Sequence, residues 1–305
     1  MTCAIEAKKA GLNALLIDKG MLVNTLFHFP TNMTFFSTSI LLEIGGIPFV
    51  SHDEKPTRRE SLEYFRRVCD SWELKVNLYE MVENVKKEND HFKVQTSKNT
   101  YQAKDVIIAT GFYDIPVLMD VPGENFSKVH HYYNEAHPYV GQKVVVIGAA
   151  NSACDVALEL FHKGVEVTMI IRSAAISDRV KYWIKPNIEN RIKEGSIKAY
   201  FNSHVTRISE NTVEVNTPDG VISMPNDYVL AMTGYQPDFK FLKHAGIALT
   251  DDAEPELVYD PITHETSVPG LYVAGVVCGG LRTNKWLIEN ARDHGEKIMR
   301  AIIDK

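Results

Sequence analysis

Cysteine is scarce in this sequence, and the four residues present lie far apart, at Cys3, Cys69, Cys154 and Cys278. No C-x-x-C pair occurs, which argues against a zinc knuckle and against a local redox dithiol. Cys3 and Cys154 fall on predicted helices at positions that suit small buried side chains. An inert core thiol is therefore the favoured interpretation at both positions.

Long apolar runs and long basic runs are also absent. No stretch approaches the length that crosses a bilayer, and the charged residues 1–11 lack the apolar core of a signal peptide. The net charge of −6 argues against a nucleic-acid partner. We therefore expect no membrane and no nucleic-acid partner, and a cytoplasmic location by default. A chain of 305 residues has room for two domains.

Residues 144–172 have the pattern of a βαβ unit. A strand at 144–147 leads into a turn of small residues at 148–151, then a helix, then a second strand at 165–171. Gly148, Ala150 and Ala153 occupy the three positions of a degenerate G-x-G-x-x-G motif. That motif predicts a dinucleotide pyrophosphate at the helix N-terminus. Small residues at such a turn also serve plain packing, which is the alternative.

A cation ends the second strand of this unit. NAD-binding proteins usually carry an acid at that position, whereas Arg172 can pair with a 2′-phosphate and so favours NADPH. Arg179 and Lys181 lie in the following loop and could add to this contact. The alternative is that these residues are surface charges at the start of a helix.

An internal repeat links the N-terminus to this unit. Residues 3–19 align without a gap with residues 156–172, which pairs Gly11 with Gly164. Asp18 then falls at the strand end where dinucleotide folds hold the adenosine ribose, or it is a solvated carboxylate. On this register we expect roughly 10–18 residues, one strand and its glycine turn, to lie before Met1.

The other elements follow from hydrophobic periodicity and turn residues. We predict helices at residues 1–11, 59–72 and about 284–303, and a buried strand at 12–17. Strands at 76–85, 91–96 and 100–103 are predicted to form a small antiparallel sheet. Buried strands are predicted at 105–110, 228–232 and 270–275, with short strands around 198–201, 206–209, 213–216 and 221–224.

Two further patterns point to cofactor contacts. Residues 24–48 are rich in aromatic and hydroxyl side chains, which can line a flat ring and bond its polar edge. The alternative is a folded surface loop with its own small core. The segments ATGF (109–112) and MTGY (232–235) each end a strand in Thr-Gly-aromatic. Gly275 closes the segment GLYVAG, where the backbone can approach a cofactor closely.

These patterns predict an α/β fold with two Rossmann-like dinucleotide-binding domains in a three-layer arrangement. The first domain comprises residues 1–115 and 240–305. The second comprises residues 116–239 and is inserted into the first.

Seven sequence blocks carry a family resemblance that extends over essentially the whole chain. They are NTLFHFPTNMTFFSTSILLEIGGIPF, KPTRRESLEYFRRV, VIIATGFYD, HHYYNEAHPYV, YVLAMTGYQPD, LYVAGVV and WLIENARDHG. The chain resembles the two-dinucleotide-binding flavoproteins and, more closely, the bacillithiol-disulfide (bacilliredoxin) reductases. The resemblance implies FAD in the first domain, NADPH in the second and a homodimer or homotetramer. It also implies electron transfer to a small-molecule disulfide or to a bacilliredoxin-like protein.

The resemblance and the patterns above together predict the residues of each cofactor site, and no metal site is expected. Those expected at FAD are Asp18, Lys19, Phe36, Ser37, Thr110, Gly111, Gly275, Val276, Ile288, Glu289 and Asn290. Those expected at NADPH are Gly148, Ala150, Asn151, Ser152, Ala153, Arg172, Arg179 and Gly234.

Three departures from the family pattern matter for function. The family's glycine loop with its redox cysteine would end just before Met1, so no catalytic residue is assigned. Val276 stands where most disulfide reductases have an Asp on the ribityl chain, and residues 278–286 (CGGLRTNKW) diverge. A flavin-dependent monooxygenase and a non-catalytic NADPH-binding protein are the alternative functions.

Overall fold

The chain folds through one unit, enters a second and returns to the first. The computed structural model describes all residues from Met1 to Lys305. Unit 1 comprises Met1–Ile115 and Tyr235–Lys305, and unit 2 comprises Pro116–Gly234. The return to unit 1 therefore comes after residue 234, earlier than the boundary at 239 expected from the sequence. Tyr235 lies in unit 1, and its ring packs on Tyr113 of the same unit with 4.3 Å between centroids.

The helices are mostly short, and none combines the length and hydrophobicity that crossing a membrane would need. The single helix expected at 284–303 is divided, with a break at residues 292–293. The α-helices are α1 (Thr2–Lys9), α2 (Asn24–Phe27), α3 (Ser39–Leu42), α4 (Arg58–Ser71), α5 (Asn151–His162), α6 (Lys185–Lys193), α7 (Phe239–His244), α8 (Ile288–Ala291) and α9 (His294–Ile303).

The strands are short as well, and several contain only two residues. They are β1 (Leu16–Ile17), β2 (Val76–Asn77), β3 (Val82–Glu88), β4 (His91–Thr96), β5 (Thr100–Ala103), β6 (Val106–Ile108), β7 (Ile115–Pro116), β8 (Val129–His130), β9 (Lys143–Ile147), β10 (Glu166–Ile170), β11 (Lys198–Tyr200), β12 (His204–Ile208), β13 (Thr212–Thr217), β14 (Gly220–Pro225), β15 (Tyr228–Ala231), β16 (Tyr235–Gln236) and β17 (Leu271–Val273).

Unit 1 contains two parallel strand pairs and one antiparallel sheet. Strand β1 pairs with β2, and β6 pairs with β17, both in parallel, while β3, β4 and β5 form an antiparallel meander. The expected strand at 76–85 is therefore wrong as one element. The chain turns at Tyr79, whose φ of 53° is left-handed, so β2 leaves toward β1 and β3 starts a new sheet.

The expected buried strand at 12–17 is also largely wrong. Leu12 is 43% exposed and Leu15 is 42% exposed. Leu12 donates its backbone N–H to the carbonyl oxygen of Ala7 and so still belongs to the turn that closes α1. Only the last two residues of the predicted strand pair with a neighbour.

Unit 2 is built on a five-stranded parallel sheet with the order β11-β10-β9-β15-β8. Helix α5 connects β9 to β10, as the βαβ pattern predicts. The carboxyl ends of β9, β10 and β15 consequently meet at one edge of the sheet, where dinucleotide folds place their ligands. A separate antiparallel sheet contains β12, β13 and β14.

Apolar side chains fill both faces of this parallel sheet. Strand β9 is buried from Val144 to Ile147, which is typical of a parallel strand covered on both sides. One cluster forms between the sheet and α5, including Val146, Ala157 and Leu160, and a second includes Val145 and Val229. The sheet edge and the helix N-terminus are therefore held in a fixed geometry.

Candidate functional site

The turn after β9 depends on Gly148. Its φ is +124°, and a Cβ at this position would lie 2.6 Å from the carbonyl oxygen of Met232, so only glycine fits without a shift. The same Cβ would lie 3.2 Å from Cβ of Ala153, which is fully buried. The predicted small residues at these two motif positions are therefore required by close packing between β9, β15 and α5.

Helix α5 begins without a side-chain cap. Ala150 is its N-cap residue and accepts no hydrogen bond through its side chain, so the first N–H groups of the helix depend on other partners. Asn151 and Ser152 are the first two residues of the helix. An uncapped helix start beside a glycine turn suits a phosphate group, because the N–H groups and the helix dipole both favour an anion. The residues of this turn thus fit a dinucleotide.

The side chain of Asn151 serves a different role from the one expected. Its amide nitrogen donates to the carbonyl oxygen of Arg179 at 3.0 Å, and its amide oxygen accepts the N–H of Lys181 at 2.9 Å. Asn151 therefore connects the start of α5 to the loop at residues 179–181. Only its backbone N–H remains for a direct contact with a phosphate.

Three cations were expected beside this turn, and they have different environments. Arg172 directly follows the end of the β10 region and is exposed, and Arg179 is exposed as well. The ammonium group of Lys181 is held by Asp155 at 2.9 Å and is only 18% exposed. Arg172 and Arg179 are therefore the two cations whose guanidinium groups lie at the surface.

The end of β15 completes this edge of the sheet. Gly234 has a φ of +97°, and a Cβ there would touch no atom within 4 Å. The preceding Thr233 donates its hydroxyl to the carbonyl oxygen of Val117 at 2.6 Å. The MTGY segment thus ends its strand next to the Gly148 turn, as parallel pairing of β9 with β15 requires.

Two expected FAD residues follow β1 in unit 1. Asp18 accepts the N–H of Gly20 at 2.8 Å through one carboxylate oxygen, an arrangement that fixes the turn after the strand. Its second oxygen remains for a ribose hydroxyl. Lys19 forms an ion pair with Asp114 at 2.9 Å, so its charge is already balanced within unit 1.

A second group of expected FAD residues lies at the ends of β6 and β17. Gly111 has a φ of +72°, and a Cβ there would lie 3.7 Å from a methyl group of Val276. Gly275 has a φ of +78°, and its Cβ position is clear of other atoms to 4 Å. Thr110 is exposed beside Gly111. Parallel pairing of β6 with β17 thus brings these two glycine turns together, and their bare backbone fits close approach by a cofactor.

A third group joins the N-terminal aromatic segment to α8. Ser37 is buried and donates its hydroxyl to Glu289 at 2.5 Å. Arg292 donates to the carbonyl oxygens of Ile40 and Leu41 at 3.2 and 3.0 Å, at the end of α3. Segments separated by some 250 positions in the sequence are thus held together. Phe36 precedes Ser37 and is 53% exposed.

The remaining residues of α8 support the helix itself. The side-chain oxygen of Asn290 accepts the N–H of Leu287 at 2.6 Å, and its amide nitrogen donates to the carbonyl oxygen of Lys285 at 3.0 Å. Ile288 packs against the apolar cluster of the N-terminal region. Asn290 therefore stabilises the start of α8 through its side chain.

None of the four cysteines has the properties of a reactive thiol. Cys69, Cys154 and Cys278 are buried, and Cys3 is partly buried. Burial raises the pKa of all four thiols, to about 12 for Cys154 and Cys278. A nucleophilic cysteine needs a lowered pKa and access to solvent. These thiols are therefore not candidates for attack on a disulfide.

Sequence reasoning missed several contacts that shape these sites. Arg292, Asp114 and the pair His264 and His294 were not singled out. Each acts on a partner that is remote in the sequence, so no local motif marks it. Arg292 and His294 both lie in the block WLIENARDHG, and its resemblance to the family was the sequence feature that could have identified them.

Comparisons with known proteins extend over nearly the whole chain. The family model described as "Pyridine nucleotide-disulphide oxidoreductase" matches residues 1–275. The Bacilliredoxin reductase Bdr of Bacillus subtilis (strain 168) is 42% identical over 304 residues, which cover 99% of this chain and 94% of that protein.

Two solved structures are similar over the same extent. The bacillithiol disulfide reductase Bdr from Staphylococcus aureus has a TM-score of 0.96 at 40% identity, covering 99% of this chain and 94% of the other. The corresponding enzyme from Bacillus cereus has a TM-score of 0.97 at 40% identity, covering 99% and 95%.

Proposed function

Because this chain belongs to the pyridine nucleotide-disulphide oxidoreductase family, we propose that it uses NADPH and FAD to reduce a disulfide of low molecular weight or of a small redox protein. Its class is that of a flavin-dependent, disulfide reductase-like oxidoreductase. The observation that carries the finer proposal is the 42% identity to a bacilliredoxin reductase across both units.

Unit 2 is the proposed NADPH site. The Gly148 turn leads into α5, and the uncapped N-terminus of that helix offers its first N–H groups to the pyrophosphate. Ala150 and Ala153 keep the turn narrow, and Ser152 follows on the first turn of the helix. Gly234, at the end of β15, allows a ligand to cross the sheet edge without meeting a side chain.

Two exposed arginines provide the proposed preference for NADPH over NADH. Arg172 follows the second strand, where the adenosine ribose of a dinucleotide lies. Its guanidinium can bind a 2′-phosphate through two hydrogen bonds. Arg179 lies on the loop that Asn151 holds against α5, so its backbone is fixed at this edge. Lys181 contributes less, because Asp155 balances its charge.

Unit 1 is the proposed FAD site. Asp18 accepts hydrogen bonds from the adenosine ribose, with Lys19 and its partner Asp114 beside it. The backbone turns at Gly111 and Gly275 allow close approach of the ribityl–pyrophosphate part, with Thr110 and Val276 next to them. The isoalloxazine contacts are proposed for the group formed by Phe36, Ser37, Ile288, Glu289 and Asn290.

The proposed reaction balances as NADPH, one proton and one disulfide giving NADP⁺ and two thiols. FAD, when bound, relays the two electrons between the nicotinamide and the disulfide. The residues of this chain bind and orient the two nucleotides. The buried thiols do not enter the reaction, because their raised pKa keeps them protonated near neutral pH. The similar proteins are named for bacillithiol disulfide and bacilliredoxin, and we propose the same substrate class here.

The decisive experiment combines a spectrum with a substrate comparison. The purified protein should show a flavin absorption band near 450 nm and should oxidise NADPH only when a disulfide substrate is added. Bacillithiol disulfide and a bacilliredoxin mixed disulfide are the two substrates to compare, with glutathione disulfide as the control. Absence of FAD binding in a reconstitution titration would refute the proposal. NADPH oxidation that consumes oxygen and hydroxylates a product would instead support a monooxygenase.

The same family suggests a homo-oligomer. We propose a dimer or tetramer, which sedimentation velocity at micromolar protein concentration would test. A single species at the mass of the 34.4 kDa chain would refute this assignment.

A further inference from the structure

Two buried histidines of unit 1 hold the backbone at the end of β17. His264 precedes the strand and His294 is the first residue of α9, and each is 1% exposed. Nδ1–H of His264 donates to the carbonyl oxygen of Val273 at 3.2 Å. The N–H of Gly275 donates to Nδ1 of His294 at 3.1 Å. The two bonded backbone groups flank Ala274, so the imidazoles fix the chain on both sides of the strand end.

These partners assign opposite tautomers to the two rings. A carbonyl oxygen only accepts, so His264 carries its proton on Nδ1 and a lone pair on Nε2. A backbone N–H only donates, so His294 has its lone pair on Nδ1 and its proton on Nε2. The ring centroids are 4.0 Å apart. Burial, reinforced by the neighbouring His264, lowers the pKa of His294 to about 4, so the ring is neutral near pH 7.

The thiol of Cys278 lies beside the two rings, and the set resembles a metal site. The possible ligand atoms of the three residues lie within 4.8 Å of one another. A ligating imidazole must offer a lone pair. In His294 the N–H of Gly275 occupies the Nδ1 lone pair, and Nε2 carries the proton. The hydrogen bonds therefore leave His294 without a nitrogen for a metal, and Cys278 is a protonated thiol.

We propose that His294, together with His264, is a positioning residue that presets the backbone of residues 274–276 for FAD. We call these residues the FAD loop. This inference rests on the proposed function, because it assigns FAD to that loop. The inference goes beyond the proposed function because it names two side chains that act through the backbone without touching the cofactor.

The FAD loop needs such an anchor because of its glycine. Gly275 has a φ of +78°, and a Cβ built at that position would have no other atom within 4 Å. Glycine has more backbone freedom to lose than any other residue. A hydrogen bond that orders this loop before binding reduces the entropy lost when FAD binds. The acceptor on His294 provides that bond from the rigid start of α9.

Two variants at one position isolate the acceptor. In His294→Asn the amide oxygen lies the same number of bonds from the backbone as Nδ1 and can accept the Gly275 N–H. In His294→Leu a methyl group takes that place, and both variants lose the ring to a similar extent. FAD titration of flavin-free protein should give an affinity about tenfold weaker for Leu and within about threefold of wild type for Asn.

Thermal unfolding of the flavin-free variants provides the matched comparison. Asn buries an amide, whereas Leu buries only apolar atoms, so the Leu variant should unfold at a higher temperature than the Asn variant. The order of FAD affinity and the order of stability are therefore opposite. If FAD affinity follows stability instead, the role of His294 is structural packing and the proposal is overturned.

Two further measurements separate this inference from the proposed function. If wild type binds no FAD, the proposed function fails, but hydrogen exchange of the Gly275 amide still tests the anchor. That amide should exchange slowly in wild type and Asn and at least about tenfold faster in Leu, while equal rates in all three would overturn the anchor. Titration with zinc chloride should give no stoichiometric complex. A stoichiometric complex that the Leu variant loses would overturn the tautomer assignment.

Discussion

Arg172 is the residue on which the proposed coenzyme preference chiefly depends. Replacing it in Arg172→Gln removes a charge-assisted contact to the 2′-phosphate that NADH does not make. We expect kcat/KM with NADPH to fall by about tenfold or more, while kcat/KM with NADH stays within about twofold. Steady-state kinetics with both coenzymes measures the ratio directly.

A matched control for this change is Arg207→Gln in the same unit. Arg207 lies on β12 with a side chain that is 57% exposed and 3.7 Å from Glu214. The Arg207→Gln variant should have the wild-type kcat/KM with both NADPH and NADH. An equal loss with NADPH and NADH in Arg172→Gln would contradict the 2′-phosphate assignment, because both coenzymes share every other group.

His294 makes a second prediction, which concerns stability against acid. Burial lowers its pKa from 6.5 to about 4, so between these values the unfolded chain takes up a proton that the folded chain does not. Stability therefore falls as pH drops from 6.5 to 4, by up to about 3 kcal/mol, and this term vanishes above pH 6.5. His264, Asp293 and Lys297 are the charged or titratable groups that act on it.

Urea unfolding at pH 7 and pH 4.5 measures this effect. Wild type should lose more stability between the two values than His294→Asn, which has no group to titrate there. His52→Asn removes an exposed histidine of the same unit and should keep the wild-type difference. If His294→Asn loses as much stability between pH 7 and pH 4.5 as wild type does, other groups cause the acid sensitivity.

Single residues differ in how well the sequence reveals them. Gly148 and Ala153 lie in a motif of fixed spacing, and the close approach at Gly148 explains why glycine is needed there. Asp18 was found through the internal repeat of residues 3–19 and 156–172. The imidazole of His294 acts on Gly275 through a contact that only tertiary structure creates. Its tautomer depends on that partner, so no sequence pattern could supply it.

At the scale of elements, Asn151 couples α5 to the neighbouring loop. Asn151→Ala removes both hydrogen bonds to residues 179 and 181 without changing the apolar face of the helix. The loop then has to be ordered on binding, so we expect NADPH affinity to fall by about threefold to tenfold. Fluorescence titration with NADPH measures the affinity, and circular dichroism should show unchanged helix content.

The matched control is Asn190→Ala on the exposed face of α6. It should alter neither NADPH affinity nor helix content. If Asn151→Ala also binds NADPH as wild type does, the loop is ordered by other contacts and Asn151 does not contribute to the site.

Elements with a strong amphipathic period were predictable, and two-residue strands were not. The helix expected at 59–72 is α4, at Arg58–Ser71, and a capping box of Thr57 and Glu60 fixes its start. Strands β1 and β2 have too few residues for a period to show. The chain leaves β2 through Tyr79, whose left-handed backbone state its sequence neighbours do not reveal.

At the scale of the whole molecule, the inserted order of the two units was predictable from two patterns. The match of residues 3–19 with 156–172 predicts two similar folds, and the strand at 270–275 with the helix after it predicts the return to the first. Each of the five buried clusters consists of residues from a single unit. The second boundary was less predictable, because contacts such as that of Tyr235 with Tyr113 join residues that are remote in the sequence.

Unit 2 should therefore fold when produced alone as residues 116–234. It is one continuous segment, and its two ends meet, since Val117 donates its N–H to Gly234 at 3.0 Å and accepts the hydroxyl of Thr233 at 2.6 Å. We expect cooperative thermal unfolding and stabilisation by NADPH of about 2.7 kcal/mol at a hundredfold excess over Kd, with no binding of FAD.

A variant of this fragment shows whether the stabilisation comes from the proposed site. Gly148→Val places a side chain where even a Cβ would lie 2.6 Å from the carbonyl oxygen of Met232, so the turn after β9 has to shift and the proposed pyrophosphate site changes shape. NADPH should then no longer raise the unfolding temperature. Equal stabilisation of both fragments would place NADPH elsewhere, and a fragment without cooperative unfolding would show that unit 2 depends on the rest of the chain.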